Sequence, residues 1–167
     1  GVDLLLVETF PHAGEGLIAV EEAVATGLPV WASFTPGPEG HLLSPPALAD
    51  AAAQAAGRGA AAVMVNCLPA TRAMDWLQPL LDLHLDLPVG IYANAGHPTE
   101  ALGWDADPAQ AGERYADLAE RWVDAGAAIV GSCCGTGPQT IAALRQRFHQ
   151  RETDAAAPAR DPHRPAR

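Results

Sequence analysis

Several absences bound what this 167-residue chain can be. No apolar run approaches the ~20 residues that cross a bilayer, and the opening Gly1-Val2-Asp3 lacks the basic region of a secretion signal. A membrane is therefore not an expected partner, and the cytoplasm is the expected location. Basic residues are scarce: 10 Lys and Arg stand against 20 Asp and Glu, a formal charge of −10 that argues against nucleic acid or an anionic lipid surface. Neither GxGxxG nor GxxxxGK(S/T) follows any apolar run, which lowers the case for a bound nucleotide. Cysteine is limited to three residues with no CxxC pair. A disulfide framework would strand one thiol, so a reducing compartment and thiolate chemistry or metal binding fit better.

What is present has a regular grain. With 49% hydrophobic and 18% charged residues the chain can bury a core, most simply as one domain. Residues 2–7 form a nearly unbroken apolar run closed by Glu8-Thr9, as expected of a parallel strand covered on both faces. Leu17, Val20 and Val24 recur at helical spacing before Gly27. Residues 29–35 read as a second strand, followed by a Pro/Gly loop and a helix that Ser44 caps and Pro45 and Pro46 open, running to about residue 57. A third strand over 62–67 precedes a helix over about 70–85 with Trp76, Leu77, Leu80, Leu81 and Leu85 as its buried stripe. A fourth strand over 88–92 leads through Asn94 and a loop with His97 and Trp104 to a helix capped by Asp107. A fifth strand over 127–131 leads to a helix from Pro138 to about Phe148. Residues 151–167, with three prolines, four arginines and almost no large apolar group, read as a disordered tail behind a folded domain over 1–150.

Strict strand-helix alternation implies an α/β fold with a parallel sheet and right-handed crossovers, either doubly wound or part of a (β/α)8 barrel. In a barrel, chemistry comes from the carboxyl ends of several strands. Every strand here ends in polar or thiol groups: Glu8, Ser33 with Thr35, Asn66 with Cys67, Asn94, and Cys133-Cys134. Three thiolates suit Zn²⁺ by softness, and three protein ligands leave the fourth tetrahedral position to water or substrate. A closed structural zinc would need one more ligand, with His41 and His97 nearest in the loops. Two blander readings compete. Cys67 alone is an ordinary small buried residue, and a Cys133–Cys134 disulfide would be strained.

Gly-Ser-Cys-Cys-Gly-Thr-Gly-Pro at 131–138, Val-Asn-Cys at 65–67 and Asp-Leu-Leu-Leu-Val-Glu-Thr at 3–9 resemble the landmark motifs of the zinc-dependent homocysteine S-methyltransferase family, over about residues 1–150. Ser132 stands where that family more often has glycine. The resemblance implies a (β/α)8 TIM barrel in which Cys67, Cys133 and Cys134 bind zinc and the sulfur of homocysteine becomes the fourth ligand. It implies that Glu8 holds the substrate ammonium, with Thr9, Asn66 and Asn94 as wall groups. The implied reaction is methyl transfer to homocysteine thiolate giving methionine, with no side-chain general base. Nothing after residue 150 could host a folate or cobalamin module, which favours S-methylmethionine or S-adenosylmethionine as donor. Trp31, Phe34, Tyr92 and Trp104 are candidate walls for that donor, or plain packing.

A barrel of this kind needs eight strands and ~250 residues, and five strands are counted here. The resemblance therefore implies a partial barrel, about five carboxyl-terminal βα units, without the family's amino-terminal Asp-Gly turn. Exposed sheet edges and association with another copy or with a missing amino-terminal half are the expected consequences. The competing expectation from another class is a noncatalytic α/β module that keeps a zinc or thiol site and acts through a partner.

Overall fold

The computed structural model describes residues 1–156. The elements run β1 (Leu5–Phe10), α1 (Ala13–Val24), β2 (Val30–Phe34), α2 (Pro45–Gly57), β3 (Ala62–Pro69), α3 (Met74–Leu81), β4 (Val89–Asn94), α4 (Pro108–Ala125), β5 (Ile129–Ser132) and α5 (Pro138–Ala156), with single 3-10 turns at Ala70–Arg72 and Pro98–Glu100. All the pairings are parallel, and the strands neighbour one another in sequence order, β1-β2-β3-β4-β5. A doubly wound sheet reverses direction at a switch point, whereas a barrel adds each new strand on the same side. The order here is that of a barrel, and the fold is a partial (β/α)8 barrel.

Helix starts follow the expected chemistry. Ser44 accepts a hydrogen bond from the amide of Ala47 at the head of α2, and Asp107 accepts one from Gln110 at the head of α4, each with proline in the first turn. The helix expected over 70–85 is shorter. It divides at Ala73 into a 3-10 turn and the eight-residue α3, which passes through Pro79 and stops at Leu81, before His84 takes the left-handed φ of 50° that no helix can continue through. At the other end α5 continues to Ala156, past the expected Phe148, so the first six residues of the expected disordered tail are helical. Arg147 joins Asp117, Glu120 and Glu113 of α4, and Arg151 joins Asp124, which binds this extension to its neighbour. Residues 157–167, the rest of that tail, lie outside the described residues.

Alternation along each strand divides the sheet into two faces. Val30, Ala32, Phe34, Val63, Val65, Val89, Ile91 and Ala93 face the helices and share one core with Leu48, Leu77, Leu80, Tyr115 and Trp122. The registers Leu6↔Trp31, Ser33↔Met64, Met64↔Gly90, Asn66↔Tyr92 and Tyr92↔Gly131 carry the opposite, interior face. That face is open beside β1. The expectation of a first strand covered on both sides is corrected here: Leu6 is 42% exposed and Val2 61%, because β1 is a sheet edge with nothing among the described residues across the interior from it.

Candidate metal and substrate site

Strict alternation would set Asn66 on the interior face and turn Cys67 toward the helices. The structure departs from alternation at that residue. Sheet pairing slips between Asn66 and Pro69, and Cys67 takes φ 56°, a left-handed conformation that disfavours L side chains by ~1–2 kcal/mol. β1 does the same between Val7 and Phe10, where Thr9 takes φ 64°, a rarer choice still for a β-branched residue. Each irregularity brings two successive side chains to one rim, Glu8 with Thr9 and Asn66 with Cys67. Strain of this kind persists where the surroundings over-determine it.

Cys133 and Cys134 leave the end of β5 directly, and the turn they form is stitched to β4. The Cys133 amide donates to the carbonyl of Ala93 (2.8 Å), and the Ala95 amide donates to the carbonyl of Cys134 (2.9 Å). Gly135 then turns at φ 78°; a Cβ there would lie 2.5 Å from Cε2 of Trp104 and 2.8 Å from Cβ of Ala95. Only glycine fits that turn. Beneath it the Tyr115 hydroxyl reaches both the Ala93 and the Gly131 carbonyls, at 2.8 and 3.0 Å, joining β4 to β5 from α4.

The three sulfurs meet. Cys67 Sγ lies 3.8 Å from Cys134 Sγ, Cys133 Sγ lies 3.8 Å from Cys134 Sγ, and all three fall within 4.8 Å of one another. Bonds of ~2.3 Å at a tetrahedral centre set sulfurs ~3.8 Å apart, so the spacing fits one Zn²⁺. Among the described residues no His, Asp or Glu joins the group. His41 pairs with Glu39 and His97 with Thr99, and neither lies in the sulfur cluster, so the site as it stands has three protein ligands among the described residues. Burial, and after it the neighbouring Cys133, pushes the Cys67 thiol up to about 12, and burial raises Cys133 as well. Without a cation these two groups keep their protons at neutral pH.

Beside the sulfurs runs a chain of polar side chains contributed by β1 to β4. Ser33 donates to Asn66 Oδ1 (2.8 Å), Asn66 Nδ2 donates to Thr9 Oγ1 (2.7 Å), and the Tyr92 hydroxyl donates to Glu8 Oε2 (3.0 Å). Ser33 also neighbours the Tyr92 hydroxyl, whose ionisation burial pushes well above the ordinary tyrosine range. Asn94 stands apart from this chain: its Oδ1 accepts from the Gly96 amide and shapes the loop. Of the aromatic candidates, Phe34 is buried on the helix face, whereas Trp104 is 52% exposed, with its indole N–H on the Gly96 carbonyl (2.8 Å). A cleft of about 630 Å³ opens beside Trp104, lined also by Glu39, Arg72, His97 and Glu100. The sequence marked Ser33 as a strand-end polar group and Tyr92 as a candidate donor wall, but not their hydrogen bonds to Asn66 and Glu8. Their signal was the period-2 register that aligns Tyr92 with Asn66, which needs the strand pairing to be known.

Fold and site together define a partial (β/α)8 barrel with a three-cysteine cluster at its carboxyl rim, able to hold a metal. The family model for homocysteine S-methyltransferase matches residues 1–148, and the chain belongs to that family. It is 35% identical over 156 residues to a homocysteine S-methyltransferase of Escherichia coli K12, covering 88% of this chain and 48% of that protein. It is 30% identical over 159 residues to a selenocysteine Se-methyltransferase of Brassica oleracea, covering 92% and 45%. The crystal structure of the homocysteine methyltransferase MmuM from E. coli in its metallated form superposes with a TM-score of 0.67 at 30% identity, over 88% of this chain and 46% of that one. The chain thus spans about half the length of the curated relatives it matches.

Proposed function

We propose that this chain carries the zinc and homocysteine side of a methyl transfer from a sulfonium donor, S-methylmethionine or S-adenosylmethionine, to homocysteine, giving methionine. The observation that carries the reading is the sulfur spacing: two edges of 3.8 Å and a third within 4.8 Å, with only three protein donors among the described residues. Cys67, Cys133 and Cys134 hold the metal as thiolates. Zinc, when bound, supplies the positive charge that lets a thiol substrate lose its proton near neutral pH. Glu8 opposes the homocysteine ammonium, and Thr9 and Asn66 form the adjoining wall. Asn94, with its oxygen engaged by Gly96, keeps its amide N–H groups for the substrate.

The thiol proton leaves to solvent as homocysteine binds. The sulfur electron pair forms the new S–CH₃ bond while the donor's C–S pair returns to the donor sulfur, so no side chain has to take a proton in the displacement. Alignment of sulfur and methyl supplies much of the acceleration. The carboxylates of Glu39 and Glu100 and the indole of Trp104 around the rim cleft suit a cationic donor. Three reduced thiols suit the cytoplasm. Turnover is proposed for the chain joined to βα units that close its sheet, since β1 and β5 are its edges.

Metal analysis tests the reading. The purified chain should hold about one zinc, and the cobalt-substituted protein should change its visible absorption when homocysteine is added. Cys67→Ala should lose both properties. A wild-type chain without stoichiometric zinc, or a Cys67→Ala chain that keeps it, would overturn the proposal.

A further inference from the structure

We propose that Tyr92 is a positioning residue for the amino-acid end of the substrate: its phenol holds one oxygen of Glu8 from across the sheet interior and so sets where that carboxylate meets the ammonium of a thiol held at the cysteine cluster. The inference rests on the proposed function.

Tyr92 belongs to β4 and Glu8 to β1, with β2 and β3 between them, yet Oη and Oε2 are 3.0 Å apart. The reach is possible because both lie on the interior face and because the residue paired with Tyr92 on β5 is Gly131, where a Cβ would come within 3.2 Å of Tyr92 Cβ. A carboxylate offers about four acceptor directions, and the phenol takes one. The donor's chemistry matters. An arginine at this place would orient Glu8 but also neutralise it, whereas a neutral phenol orients the group and leaves its full negative charge for an ammonium. The backbone side of Glu8 is held independently. Ser33, which neighbours the Tyr92 hydroxyl, donates to Asn66, and Asn66 donates to Thr9, the residue after Glu8. Asn66 is also the residue before Cys67. Carboxylate and metal ligand are therefore tied into one frame, and Tyr92 is the member that grips the carboxylate itself.

The test compares two thiols on the cobalt-loaded full chain: L-homocysteine, and 4-mercaptobutyrate, which is the same molecule without its amino group. Dissociation constants are read from cobalt–thiolate absorption, and metal content is measured alongside. Tyr92→Phe should weaken homocysteine about tenfold, leave 4-mercaptobutyrate within about twofold and keep full metal content. In a Glu8→Gln background the same change should add nothing. Equal weakening of both thiols, loss of metal from Tyr92→Phe, or an undiminished effect without the Glu8 charge would each overturn the inference and leave the tyrosine a packing role. A wild-type chain that does not bind homocysteine, or does not prefer it to 4-mercaptobutyrate, would instead overturn the proposed function, and this inference with it.

Discussion

Thr9 and Cys67, 58 positions apart, solve the same problem in the same way: each sits at the carboxyl end of its strand in the left-handed region, at φ 64° and 56°, where the sheet register slips. One amide lies between them. Asn66, fully buried, accepts from Ser33 and donates to Thr9.

Asn66→Ala should therefore act on stability and metal together. It removes both hydrogen bonds and leaves the buried Ser33 hydroxyl without its acceptor, a loss of about 2–4 kcal/mol in urea unfolding. Zinc affinity measured against a chelator should fall at least about tenfold, because the residue next to Cys67 no longer holds its place. An unchanged zinc affinity would show that the Cys67 backbone keeps its conformation unaided.

Metal loading should release protons. Burial raises both Cys67, to about 12, and Cys133, so at pH 7 each gives up a proton when it becomes a ligand. The sign follows directly: higher pH favours the metal-bound state. From these two groups alone apparent zinc affinity should rise about a hundredfold per pH unit between about pH 6 and 8. Calorimetry in buffers of different ionisation enthalpy counts the protons, and fewer than about two would contradict protonated thiols in the metal-free cluster.

Gly135→Ala should disrupt the turn that presents Cys134. The new methyl meets Trp104 and Ala95 at 2.5 and 2.8 Å, and φ 78° is itself unfavourable for alanine. Strain and overpacking together should cost about 2–4 kcal/mol. Because Trp104 has to move, its fluorescence should shift along with the loss of stability. A variant with unchanged emission and unchanged unfolding would show that the loop accommodates a side chain.

The interior face and the two outer strands should drive association. Val2, Leu4 and Leu6 are exposed beside β1, and β1 and β5 each have a strand on one side only among the described residues. Sedimentation at tens of micromolar should show the chain self-associating, and a separately supplied complementary half-barrel should suppress this. A monodisperse monomer with a cooperative melt would refute the expectation.

Much of this was legible without coordinates. Ser44 with Pro45-Pro46, and Asp107 with Pro108, marked helix starts at the residues where the structure begins α2 and α4, since capping and proline act within a turn. The Gly-framed Cys133-Cys134 pair and the Asn66-Cys67 pair named the sulfurs that meet. Where the reading fell short, the deciding interaction was distant. α5 was prolonged to Ala156 beside acidic groups on α4 that no local pattern announces. Tyr92 looked like one aromatic among several until the curvature of the sheet brought its hydroxyl across the interior to Glu8.

The sequence by itself determined the βα alternation and the starts of α2 and α4, because propensity and capping act between neighbouring residues. Tertiary structure alone decided the strand order, the two register slips that turn Thr9 and Cys67 toward the rim, and the contact between β1 and β4 through Glu8 and Tyr92. Those depend on which strands lie side by side, and a left-handed threonine or cysteine is tolerable only when partners from other strands hold it there.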